Sequence, residues 1–167
     1  MYPESAVLAA ESLLSLVAPN DESRRRLCAR LHHELSEEGD HDYFSELPII
    51  WILAHFSSFF YVDWKNNEDF QPFVEKLAHD WGATSFHFPP DLRTEMGEPL
   101  TVPELMQWAR YSLEPQGLLL WHWHTHEDNY CGAVSREKDW SEIVRVCEQL
   151  GIAAFPGDQQ FGEEVEA

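Results

Sequence analysis

Apolar positions recur at helical spacing in the first part of the chain. Val7, Ala10, Leu14 and Val17, with Leu13 beside them, predict a helix over 4–17. Pro19 and Asn20 stop it, and Asn20 or Asp21 can cap a second helix over 22–37. That helix places Leu27, Cys28, Leu31 and Leu35 on one face. A third helix is expected over 44–55, interrupted or started near Pro48. The period then changes. SFFYVDWK at 58–65 is aromatic and β-branched, which reads as a strand. Phe70, Phe73, Val74, Leu77 and Trp81 restore the helical period. Pro72 lacks an N–H and belongs in a first turn, so this helix is expected to begin at Glu68 or Asp69.

Gly82 ends that helix, and TSFHF at 84–88 reads as a second strand. Thr101 with Glu104 forms a capping box, predicting a helix over 102–113 that Pro115 and Gly117 break. LLLWHWHTH after Gly117 reads as a third strand, HEDN as a turn, and 130–135 as a fourth strand closing a hairpin. Trp140, Ile143, Val144, Cys147 and Leu150 mark a last amphipathic helix that Gly151 stops. A short closing strand is expected over 152–155. Helices gather early and strands late. The expected class is α+β: a helical N-terminal third, then a mixed or antiparallel sheet of four or five strands packed against helices. A chain of 167 residues fits a single domain, here 1–156, with an acidic, frayed tail over 157–167.

Charge narrows the function classes. There are 30 acids against 11 bases, a formal charge of −19. Nucleic-acid binding needs clustered Lys and Arg to displace counterions, so a nucleic-acid surface is not expected. An anionic membrane face is disfavoured for the same reason. The most apolar run, 47–62, holds His55, Ser57 and Ser58 and is shorter than the roughly 20 residues a spanning helix needs. Met1 to Val17 carries Glu4 and Glu11 and no base, unlike a signal peptide. The odd set Cys28, Cys131 and Cys147, with no CxxC, points to a reducing, cytoplasmic setting. Arg24, Arg25, Arg26 and Arg30, followed by six acids from Glu34 to Glu46, read as a solvated helix surface.

The candidate chemistry lies in WHWHTH at 121–126. Side chains on a strand alternate faces, so His122, His124 and His126 are expected on one face and Trp121 and Trp123 on the other. A His-x-His pair can ligate Zn²⁺ at about 2.0–2.1 Å. His87 on the expected second strand and Asp63 on the first are candidates to complete the set if those strands are neighbours. The competing reading has the tryptophans in the core under the last helix and the histidines on a partly solvated sheet face. Asp63-Trp64-Lys65 reads as a turn in which Asp63 caps and Lys65 is solvated. Asp128 and Asn129 fit Asx-turn chemistry. Cys131 and Cys147 look like small core residues.

Three resemblances follow from these strings. HTHEDN is similar to the His-x-His-x-Asp-His signature of metallo-β-lactamase-like hydrolases through His124, His126 and Asp128, but Asn129 stands where the last His belongs. The same histidines with Ser135 and Asp139 resemble zinc-dependent isopeptidases, although both gaps are one residue too long. YVDWK at 61–65 and LLLWHWHTHEDNYCGAVSREKDWSEIVRVCEQLG at 118–151 resemble the uncharacterised bacterial family catalogued as domain of unknown function 6630. That likeness spans 58–155, resting on Asp128, Asn129, Tyr130 and Leu150-Gly151, and implies no activity and no catalytic residue. The leading expectation is a non-enzymatic accessory or protein-binding domain, immunity-like, whose acidic surface and exposed aromatics receive a basic partner protein. The alternative is a Zn²⁺-dependent hydrolase on His122, His124 and His126. A homo-oligomer whose acidity serves solubility is the third reading.

Overall fold

The computed structural model describes residues 2–36, 48–125 and 128–159. Among the described residues, six α-helices and four strands follow one another in the expected α+β order. Helix α1 (Glu4–Val17) leads into α2 (Asp21–Leu35), whose N-cap Asn20 accepts a hydrogen bond from Ser23 N–H. Helix α3 (Ile49–Ala54) is short and starts directly after Pro48; the expected residues 44–47 lie outside the described ones. Strand β1 (Phe60–Asp63) precedes α4 (Asn67–Asp80), and α5 (Val102–Leu113) precedes the hairpin of β2 (Leu118–His124) and β3 (Asn129–Arg136). Helix α6 (Trp140–Gln149) and the edge strand β4 (Ala154–Pro156) complete the fold.

The sheet is wholly antiparallel, in the order β1-β3-β2-β4. Its four strands put one residue each in a row: Phe60 beside Gly132, Gly132 beside His122, and His122 beside Phe155. Both faces are covered. Leu119, Trp121, Trp123, Cys131 and Ala133 face a core built from α1, α2, α3 and α6. There the Trp121 ring lies 6.5 Å from both Phe59 and Trp140. Phe60, Val62, Leu118, Leu120 and Val134 face a second core built from α4, α5 and the connection between them. The period-2 alternation thus serves two buried layers.

Three local expectations are corrected. First, 84–88 is not a strand. Phe86 and Phe88 are both buried against Trp108, ring centres 5.8 and 5.0 Å away, with His87 exposed between them, so the alternation is present but no strand among the described residues pairs with the segment. Side chains of α4 meet its backbone instead of a ladder: Glu75 accepts from Phe88 N–H (2.8 Å), and the His79 ring bonds the Phe86 carbonyl (2.8 Å). Second, α4 starts at Asn67, leaving Pro72 past the first turn. Its start is set by the cap: Asn66 accepts from Asp69 N–H and donates to the Asp69 carboxylate at 2.6 Å. Third, residues 157–159, expected as the start of the frayed tail, pack onto the sheet. Buried Gly157 donates its N–H to the Leu120 carbonyl, the Asp158 carboxylate lies 4.0 Å from Arg110, and the Gln159 carbonyl meets His122. The remaining tail, 160–167, lies outside the described residues.

Candidate functional site

The five residues proposed for Zn²⁺ are placed as follows. His122 is completely buried, against the expectation of a partly solvated sheet face. Its Nε2 lies 2.9 Å from the Gln159 carbonyl, and its ring packs near Tyr130 and Phe155. The cause is the second helical layer together with the 154–159 segment, which covers the face on which His122 lies. The backbone of His124 ends β2 opposite Tyr130, and His126 lies outside the described residues. Asp63 is separated from β2 by β3, because β1 pairs with β3. Its carboxylate accepts from Lys65 N–H at 2.8 Å, the turn role expected of it. His87 sits on an exposed loop, 3.3 Å from Glu75 and with its ring 4.9 Å from His79. Among the described residues, no group of three or more His, Cys, Asp or Glu is gathered to hold a metal ion.

Ser135 belongs to the face of β3 that carries Cys131 and Ala133, whereas His122 belongs to the face of Leu118 and Leu120. Strand periodicity therefore puts Ser135 and His122 on opposite sides of the sheet; the isopeptidase-like set also needs His126 and the His124 side chain, which lie outside the described residues. The thiols are those of core residues. Burial pushes Cys131 well above the usual thiol range and Cys147 up to about 12. Burial also raises Cys28.

A different arrangement occupies the end of the sheet where β1 finishes and β3 begins. Trp64 follows β1, and its backbone is held from two sides. Its N–H donates to the Asp128 carbonyl (3.0 Å), and its carbonyl accepts from Val102 N–H (3.2 Å). Asn67 adds a bond to the Leu100 carbonyl at 3.1 Å. The side chain, by contrast, stays 38% exposed. The Lys65 ammonium lies 4.6 Å from the centre of the indole, a cation–π contact. Exposed Asp63 ends β1, exposed Glu68 and Asp69 lie in the first helical turn of α4, and exposed Asp128 precedes β3. The composition had flagged aromatics and acids separately. An aromatic between an acid and a base at a strand end was the one local signal that could have joined them.

The match to known families is broad. A family model, domain of unknown function (DUF6630), fits residues 9–157. The chain belongs to this family. The match extends well ahead of the 58–155 likeness read from the hairpin, so the N-terminal helices are part of the DUF6630 domain. No curated protein and no solved structure matches the chain. Among the described residues, no helix of this DUF6630 domain is long and apolar enough to cross a membrane.

Proposed function

We propose that this DUF6630 domain is a non-enzymatic, immunity-like protein-binding module whose acidic sheet end, anchored on Trp64, receives a basic segment of a partner protein. The observation that carries the reading is the Lys65 ammonium held over the Trp64 ring, between elements that bear exposed Asp63, Glu68, Asp69 and Asp128. An intramolecular cation already occupies the surface that a partner's Lys or Arg would take. The formal charge of −19 supplies long-range attraction, which accelerates encounter and weakens with salt. The exposed indole supplies the short-range anchor; aromatics of this kind dominate interface energetics. Holding the backbone of Trp64 from both sides reduces the ordering cost at binding.

The test uses the full chain immobilised on resin and a native lysate at low salt. Basic proteins should be retained, and retention should fall roughly tenfold between about 0.05 and 0.3 M salt. Trp64→Ala, a change at an exposed position, should lose about 2 kcal/mol of binding while melting as the wild type does. Retention of the same proteins by Trp64→Ala, or of none by the wild type, would end the proposal.

A further inference from the structure

The opposite end of the hairpin has the reverse electrostatic character. Where β2 begins and β3 ends, Leu118 pairs with Arg136, and a groove of about 500 Å³ opens there. Its lining includes Trp81, Gln116, Gly117, Arg136 and Lys138. The Trp81 indole N–H donates to the Val134 carbonyl at 2.8 Å, which fixes the ring as a wall. The Arg136 guanidinium lies 5.5 Å from the centre of that ring. Glu137 also borders the groove, but its carboxylate is engaged at 3.2 Å by Arg110, which is 15% exposed. Arg136 and Lys138 are both exposed, and neither joins an ion pair among the described residues. In a chain with 30 acids and 11 bases, two cations outside any ion pair at one aromatic groove are a departure from the general surface.

We infer that this groove binds a small organic anion carrying a flat ring, of the nucleoside monophosphate class. The ring stacks on the fixed Trp81 indole, and the anionic head is taken by Arg136 and Lys138. A planar guanidinium fits the paired oxygens of a phosphate, and a nearby ammonium adds a point charge. Stacking on an aromatic wall supplies the part of the affinity that an inorganic anion lacks. The volume falls within the range of small-ligand sites. This site is separate from the Trp64 surface, at the other end of β2 and β3, so either can fail without the other.

The experiment is a titration of the uniformly ¹⁵N-labelled full chain, followed by amide and indole shifts, with three probes. AMP carries ring and charge, adenosine the ring alone, and inorganic phosphate the charge alone. AMP should shift the Trp81 indole and the amides of Gln116, Gly117 and Lys138 with saturation. Arg136→Gln combined with Lys138→Gln should weaken that binding by at least about tenfold, with an unchanged melting temperature because both side chains are exposed. Adenosine and inorganic phosphate should each bind at least about tenfold more weakly than AMP. The inference is overturned if AMP produces no saturable shifts at these positions. It is overturned equally if the double variant binds AMP as tightly as the wild type. Equal binding of adenosine or of inorganic phosphate would remove the ring-plus-anion chemistry and overturn it too.

Discussion

Replacing Gly132 by Ala tests the packing of the sheet on which both surfaces rest. Gly132 lies in the second of the four strands, between Phe60 on β1 and His122 on β2. Its backbone is not in the left-handed region, so its requirement is space rather than conformational freedom. A methyl group there meets the Phe60 Cζ at 2.7 Å and the His122 Cα at 2.8 Å, and it also collides with the Trp121 carbonyl oxygen. Ordinary carbon contacts need about 3.5–4.0 Å, so each neighbour must retreat by roughly 1 Å. The Phe60 ring can turn aside, at a cost, within a full core. The other two obstacles are backbone atoms of β2, paired on both sides by β3 and β4, and moving them strains two ladders. Overpacking costs about 1–3 kcal/mol, and two backbone clashes place this substitution near the top of that range, about 3 kcal/mol. For a chain of this size that lowers the melting temperature by roughly 6–12 °C. Far-UV circular dichroism on heating, with a urea titration as a second measure, reads the change. Combining it with Phe60→Leu should recover part of the loss but not all, since the backbone clashes remain. A Gly132→Ala protein that melts within about 1 °C of the wild type would refute the close approach of β1, β2 and β3 at this row.

Two further outcomes follow from buried groups. The thiol of Cys147 titrates at about 12 when folded, against 9.0 for an ordinary thiol, so the unfolded chain loses its proton first as the pH rises. Stability is therefore fully present below about pH 9 and falls above it by roughly 1.4 kcal/mol per pH unit for this group, so Cys147→Ala should give a shallower decline in urea titrations across that range. An unchanged slope would contradict its burial. The Ser135 hydroxyl is buried without a hydrogen-bond partner among the described residues. Ser135→Ala should leave stability unchanged or raise it by up to about 1 kcal/mol, measured by the same titration, whereas a loss of that size would show that the hydroxyl is used.

Local sequence determined most of the elements. Helices α1, α4 and α5 announce themselves through apolar spacing, and α5 also through the cap of Thr101 with Glu104, because a cap is a contact between residues three apart; the Asn66–Asp69 cap that starts α4 was equally local but not read. The hairpin of β2 and β3 was legible for the same reason: its two strands are neighbours in the chain and in space. The burial of Trp121 and Trp123 also followed from period-2 alternation. What the sequence could not determine was which strand would lie beside which, and whether a second layer would cover the histidine face. The insertion of β3 between β1 and β2 separates Asp63 from the histidine strand. The return of 154–159 across the edge buries His122. The same long-range packing places Trp64 between the Asp128 and Val102 backbones and turns Glu137 toward Arg110, leaving Arg136 and Lys138 at the groove. Periodicity reports the environment of one segment at a time. A site is formed by segments far apart in the chain, and only the tertiary fold, by choosing which cores to close, brought these together.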